Sequence, residues 1–309
     1  MTLPTAPLPA AANDRDRAAI LRGLGYVTFA MVVLPAQDAV AKYISDVASP
    51  GIIGWARFLM QSLFVLPFVL YFQGTAGLMP NRLWPNAVRG VLIAASSTMF
   101  FIAIKFMPIA DALAIFFIEP FILTVLSAVV DGEKVGWRRR IAVATGFVGV
   151  IIVVQPSYGV FGAVSLLPAI AGALFAVYVL LNRRLSAYDT PLTMQFTAGI
   201  SALLVLTIGL ATGWLIGLPE LSPTPVGARE VGFLLLMGVF GTSGHLLFVQ
   251  AARLAPSSVI APMQYTEIAF AALFGYLVFR DFPGFWQWVG IFIIVGSGAY
   301  VFWRESRVQ

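Results

Sequence analysis

The sequence predicts an all-α integral membrane protein of ten transmembrane helices, arranged as two inverted five-helix repeats. Three observations predict it. Of 309 residues, 60% are hydrophobic and only 11% are charged, with a mean hydropathy of +0.90. A soluble fold must wet its outside and cannot carry that much apolar surface, whereas lipid is itself an apolar solvent. Apolar runs of the length a bilayer demands, about 20 residues, recur ten times, near 19–41, 51–72, 87–106, 110–130, 138–155, 161–182, 191–216, 230–251, 258–279 and 285–303. The chain also matches itself when slid by 148 residues.

The elements follow in order. Residues 1–17 are Ala/Pro-rich with scattered charge and hold no apolar core of the signal-peptide kind. They read as a cytoplasmic tail. The run from Ala18 is too long for a cleaved signal and is expected to be kept as the first span. Ten spans take roughly 200 residues and leave about 100 for tails and connections, so no separate soluble domain is expected.

Orientation comes from the basic residues. With the N-terminus inside, the inner loops and tails hold fourteen of the 19 Lys and Arg, among them Arg138-Arg139-Arg140, Arg183-Arg184, Arg304 and Arg307. The outer ones hold Lys42, Lys105, Arg229 and Arg280, and Arg57 lies within a span. Inner loops of inner-membrane proteins carry such an excess, so both termini are expected in the cytoplasm. The net charge of +5 and pI near 9.7 are thereby accounted for without nucleic acid, since no basic stripe is present.

The self-match at 148 residues pairs Gly90-Val91 with Gly238-Val239, Phe100 with Phe248, Ala103 with Ala251 and Lys105 with Arg253. It also pairs Pro108 with Pro256, Glu119 with Glu267, Glu133 with Asp281 and Gly136 with Gly284, without a gap. Apolar coincidences are cheap, but Pro and Glu are rare within spans. Five spans per half is an odd number, so the second half must sit upside down relative to the first, a plan that recurs among secondary transporters. The division into residues 18–155 and 156–309 falls at Gln155-Pro156-Ser157-Tyr158-Gly159, a stretch rich in turn residues.

Several chemistries are excluded. Without cysteine the chain has no disulfide, iron–sulfur cluster or thiolate metal site, and the single His245 cannot assemble a zinc site. No Walker loop, HExxH, nucleophile elbow or dinucleotide fingerprint occurs. No cofactor and no catalytic residue is therefore expected, and the expected partners are the lipid bilayer and a small-molecule substrate. Oligomeric state is not written in the sequence.

One resemblance sharpens this. Asp38-Ala39-Val40-Ala41-Lys42 in the first span, Trp55-Ala56-Arg57 in the second, and Ala110-Asp111-Ala112 leading to Glu119-Pro120 in the fourth are joined by Asp131-Gly132-Glu133 and by the Gly146…Gly149 helix that ends at Pro156. Over roughly Ala18 to Trp303 the chain resembles the drug/metabolite transporter superfamily, in its ten-span form with two EamA-like repeats. The resemblance implies a carrier of small metabolites and, within the superfamily, similarity to bacterial amino-acid exporters. Glu119 stands where many members carry an apolar residue before the proline.

Charge within a bilayer costs about 2.5–3.5 kcal/mol on insertion scales, so each buried ionisable residue needs a partner, a wet cavity or a task. Glu119 and Glu267 lie mid-span at equivalent places. Pro120 cannot donate to Phe116 and frees that carbonyl, and Pro262 does the same for Ser258. Gln264 shares a helical face with Glu267, and Ser257 lies farther back on that stripe. These residues read as a central cavity that binds an ammonium group or exchanges protons; the alternative is that each Glu is neutral or paired with Arg57.

Asp38 and Lys42, four residues apart, are expected to pair with each other or, for Asp38, to face substrate. Arg57 suits a substrate carboxylate, or else pairs with Asp38 or Glu119. His245 reads as a hydrogen-bonded core residue or a proton relay. Tyr178, Asn182, Gln195, Ser97, Thr197 and Gln250 are candidates for a polar lining, and Phe101, Phe116, Phe117 and Tyr265 for an apolar wall. The same residues could equally serve as interhelical contacts. The glycines at 146, 149, 238, 241 and 244 read as close helix packing.

These readings predict a secondary transporter in the inner membrane, working by alternating access and exporting amino acids. A multidrug or other metabolite carrier on the same fold is the second reading. An intramembrane enzyme or scaffold is the third, disfavoured by the missing nucleophile–base pair and by the paired mid-span acids.

Overall fold

The protein is described here from a computed structural model, which covers residues 14–130, 136–254 and 263–308. Asp131, Gly132, Glu133, Lys134, Pro256, Ser257, Ser258 and Pro262 lie outside the described residues. Every regular element among the described residues is helical: α1 (Asp14–Ile44), α2 (Pro50–Gln73), α3 (Leu83–Phe106), α4 (Ile109–Phe116), α5 (Glu119–Val130), α6 (Trp137–Phe161), α7 (Leu167–Leu185), α8 (Pro191–Ile216), α9 (Ala228–Leu254), α10 (Thr266–Phe274) and α11 (Phe285–Val308). Seven helical stretches are long and apolar enough to cross a membrane, and Thr266–Phe279 and Phe285–Tyr300 are shorter apolar helices. One of the seven, Arg140–Leu185, is 46 residues long and contains both α6 and α7.

The outside of this bundle is apolar. Tyr71, Phe72, Trp84, Val129, Leu215 and Phe285 are each more than two-thirds exposed, as side chains in lipid are. The interior is closely packed around Ile53, Phe101, Ile104, Ile115, Phe121 and Ile294. Glycines allow the closest crossings: Gly149 and Gly290 bring α6 against α11, while Gly241 and Gly244 bring α9 against Gln37 and Leu34 of α1. Two helix starts carry a side-chain cap. Ser49 and Thr190 accept from the backbone of Ile52 and Thr193 ahead of a proline at the first turn of α2 and α8.

Helix pairing follows a regular scheme. α1 packs on α9 and α10, and α7 packs on α3, α4 and α5. α2 packs on α9, and α8 on α3. α2 meets α8, and α6 meets α11.

Contacts between connections define two faces. On one, Ser49 Oγ donates to Ser222 O (2.7 Å) and Lys42 Nζ to Met107 O (3.0 Å), gathering the α1–α2, α3–α4 and α8–α9 connections. On the other, the Asn81 backbone N–H donates to Asp189 Oδ1 (2.7 Å) and Arg184 Nη2 to Val130 O (3.0 Å), gathering α2–α3, α7–α8 and the end of α5.

Two expectations are corrected. The run 110–130 is not one helix. It breaks at Phe117–Ile118 into α4 and α5, because Pro120 leaves the Phe116 carbonyl without its helical donor. That carbonyl is approached closely by Gly172 of α7, where no side chain intervenes. Gln155–Gly159, expected as a turn, is helical. α6 carries Pro156 within it and ends at Phe161, and the chain turns at Gly162–Leu166, where Gly162 takes φ 62°. A buried helix tolerates an internal proline more readily than a positive φ at a side-chain-bearing residue.

Candidate functional site

A cavity of about 670 Å³ lies between the helices. That is within the range of sites that enclose a small molecule, on the order of 300–1,000 Å³. Its floor is made by the two helix breaks. The chain leaves helix at Phe117 and again at Tyr265, positions 148 residues apart, and re-enters it at Glu119 and at Thr266, next to Glu267. Phe117 and Tyr265 meet each other there, ring centroids 5.2 Å apart.

Of the candidates read from the sequence, Glu119, Glu267, Gln264, Arg57, Asp38, His245, Tyr265, Tyr178, Asn182, Ser97 and Phe101 line this one cavity. Gln195 does not. It belongs to α8, which α2 and α3 hold away from the cavity. Its backbone carbonyl accepts from Gln61 Nε2 (3.3 Å), and its neighbour Gly199 packs against Ser62. Thr197 donates back to Thr193 O (2.8 Å) within the same helix, and Gln250 is exposed.

Charged groups of both signs line the cavity. Among the described residues, neither Glu119 nor Glu267 makes a hydrogen bond or ion pair, and both are half-buried in the wall. Arg57 is held instead by neutral partners. Its Nη1 donates to Ser97 Oγ (2.6 Å), and its Nη2 lies 3.4 Å from His245 Nε2, which accepts when the ring proton is on Nδ1. The guanidinium also lies 5.2 Å from the ring centre of Phe58 and 5.8 Å from that of Phe101. Of the two readings of Arg57, a direct ion pair with Asp38 or Glu119 is not found among the described residues, although Asp38 is close enough to interact with it electrostatically, and the guanidinium keeps donors for a carboxylate.

Asp38 accepts from Gln37 Nε2 (3.4 Å). It does not pair with Lys42, which turns from the end of α1 to Asp281 Oδ2 (2.6 Å), 239 residues away. The spacing of four allowed the local pair, but the ammonium sits in the last turn and reaches a loop carboxylate as readily.

An aromatic chain runs along the cavity. Phe100 meets Phe116 (5.5 Å between ring centres), Phe116 meets Phe175 (5.5 Å), and Phe175 is stacked on Tyr178 (5.4 Å). Phe175, Gln37, Thr124 and Ser127 are lining residues that sequence reasoning missed. An aromatic or hydroxyl residue in an apolar run carries no signal of the way it faces. Arg89, counted with the inner loops, is 1% exposed. It donates to Asn86 Oδ1 (2.5 Å) and to Met194 O (3.4 Å), with the Tyr178 ring centre 5.3 Å away.

A bundle with a mid-membrane cavity, broken helices and unpaired charges is the architecture of a carrier. The model of the EamA-like transporter family matches the sequence twice, over residues 21–155 and 162–303. The chain belongs to the EamA-like transporter family. It is thus a multi-pass membrane protein of the drug/metabolite transporter superfamily, and its function is transport. This EamA chain is 25% identical over 287 residues to the S-adenosylmethionine uptake transporter of Rickettsia bellii, covering 93% of itself and 95% of that protein. It is 27% identical to the riboflavin transporter of Brucella anthropi, covering 82% and 88%, and 26% identical to that of Vibrio cholerae, covering 93% and 95%. A solved crystal structure shares the fold, with a TM-score of 0.62 at 20% identity over 95% of this chain and 99% of that one.

Proposed function

We propose that the chain is a secondary transporter of the inner membrane whose substrate carries a flat aromatic ring and a positive charge, the chemistry of S-adenosylmethionine. The observation that carries this reading is the single cavity in which the ring chain from Phe100 to Tyr178 shares its walls with the unpaired carboxyls of Glu119 and Glu267. In the proposed complex the ring lies against these aromatics and the cationic centre lies near the two carboxylates. Asp38 and Gln264 support that pole. The substrate carboxylate meets Arg57, which Ser97 and His245 orient. Cation–π attraction to Tyr265, Phe117 and Phe101 adds to the recognition of positive charge.

The resemblance pointed to amino-acid export, whereas the relatives' names speak of S-adenosylmethionine and riboflavin. A small zwitterion would use the charged pole and leave the ring chain idle. Riboflavin would use the rings and could donate hydroxyls to the carboxyls, but it carries no positive charge to match them. A substrate with both a ring and a cationic centre uses the whole cavity.

The alternating-access part of the reading counts ten crossings, taking Arg140–Leu185 as two and the shorter helices Thr266–Phe279 and Phe285–Tyr300 as one each beside the other six spans. The principal pairings map onto one another when α1 is exchanged with α7, α2 with α8, α3 with α9, α4–α5 with α10 and α6 with α11. The double family match and the equivalent breaks at Phe117 and Tyr265 favour the same two-repeat plan. With five crossings each, the repeats are inverted, and the excess of basic residues puts both termini in the cytoplasm.

The test is uptake by reconstituted protein in proteoliposomes, with labelled S-adenosylmethionine, riboflavin and amino acids offered separately. The reading expects saturable uptake of S-adenosylmethionine. Uptake of riboflavin or of an amino acid in its place would transfer the assignment to that substrate.

A further inference from the structure

We propose that the Lys42–Asp281 ion pair is the latch that shuts the cavity toward the Lys42 face, and that transport requires it to open; the inference rests on the transporter reading. The cavity runs from Asp38 and Arg57 to Ser127, Val143, Asn182 and the exposed Arg183, at the face opposite Lys42. At its other end the helices are tied. One turn beyond Asp38, the Lys42 ammonium donates to Asp281 Oδ2 (2.6 Å) and to Met107 O (3.0 Å), and it lies 4.8 Å from the centre of the Phe279 ring. A single side chain thus joins the end of α1, the α3–α4 turn and the α10–α11 connection. Beside it, Gln287 Nε2 donates to Asp111 Oδ2 (3.4 Å), joining the start of α11 to the start of α4.

The segment that presents Asp281 is specially shaped. After α10 the chain forms a π-helical turn, Gly275–Phe279, and Arg280 takes φ 62°, the one positive φ at a non-glycine among the described residues. The backbone N–H groups of Arg280 and Asp281 then donate to Tyr276 O and Gly275 O (each 3.1 Å). A left-handed residue without a glycine is disfavoured, and it persists here where it aims a carboxylate at Lys42.

Burial suits a tie that must break and re-form. Lys42 is 12% exposed and Asp281 33%, so the pair is shielded enough to outweigh an exposed one, yet water can rehydrate both groups when it parts. In an inverted-repeat carrier the closed end must open once in each cycle. This pair is the ion pair that the described residues place across that end.

The chain has no cysteine, so single reporters can be introduced cleanly. Leu113→Cys reports on the Lys42 end of the cavity and Ser127→Cys on the opposite end. Labelling by a membrane-impermeant maleimide, applied from each face of reconstituted vesicles without substrate, reads access. Asp281→Asn and Lys42→Met are each expected to raise labelling at position 113 about tenfold and to lower it at 127, as a shift between two states requires. Lys42→Arg keeps the charge and should leave both rates near the parent's. Unchanged labelling at 113 in Asp281→Asn would overturn the proposal. So would a rise at both reporters, which marks a loosened bundle rather than an opened end. Because no substrate enters this assay, a wrong substrate assignment would fail in the uptake experiment and leave the labelling result intact.

Discussion

On the Lys42 face one polar tie is partly exposed: an ion pair with a carbonyl beside it. On the opposite face one polar network is largely sealed. Asp189 accepts from Asn81 (2.7 Å) and from Asn86 Nδ2 (2.9 Å), Asn86 in turn accepts from Arg89, and Asn86, Arg89 and Asp189 are 0%, 1% and 7% exposed. None of these three lines the cavity. The difference separates two uses of polar groups in one membrane protein. A network closed off from water is costly to take apart, since its members would be left unsatisfied, so it holds α3 on α8. A pair that water can reach costs little to separate, so it can stand across a path that must open.

The largest expected effect breaks the sealed side. Asn86→Ala leaves Arg89 and Asp189 short of a partner, and about 1–3 kcal/mol of stability should be lost. Thermal unfolding in detergent should show a lower Tm, while uptake per folded molecule stays near the parent's. A variant that shifted cavity labelling as the latch variants do would remove the distinction between the two faces.

Within the cavity, Glu119→Gln and Glu267→Gln keep shape and remove charge. Each should reduce uptake of a cationic substrate about tenfold to a hundredfold, read as kcat/KM in proteoliposomes. Full uptake by both would sink the role given to these carboxyls. Phe175→Leu should raise KM for a ring-bearing substrate about tenfold, since stacking of a base on an aromatic side chain is worth roughly 1–3 kcal/mol. The same variant should barely change the handling of a substrate without a ring. The smallest effect is expected at Gln195→Ala, whose uptake should match the parent within experimental scatter because α8 stands off the cavity.

The sequence exposed whatever is physically anomalous in an apolar run. A carboxyl or guanidinium within a span stands out by its desolvation cost, which is why Asp38, Arg57, Glu119, His245 and Glu267 were legible and came together in one cavity. Pro120 disclosed the freed Phe116 carbonyl, although not that the helix would part there. Phe175 was invisible, because an aromatic residue facing lipid and one facing a substrate look alike in sequence. The partner of Lys42 was hidden by distance along the chain. The self-match had paired Glu133 with Asp281, but a loop carboxylate is ordinarily solvated and gave no reason to look further. The burial of Arg89 was hidden for a complementary reason: a basic residue near a span end follows the inner-loop pattern whether or not it is buried.

The central claim is that this cavity selects positive charge on a ring-bearing substrate, and it is tested most directly by paired uptake measurements. Labelled S-adenosylmethionine and its uncharged thioether counterpart share the ring and the amino-acid end and differ in the methyl group that makes sulfur cationic. The account predicts that the parent protein takes up the sulfonium compound in preference, and that the Glu119→Gln/Glu267→Gln double variant loses the preference while still binding the ring. Equal uptake of the two compounds by the parent, or an undiminished preference in the double variant, would contradict it.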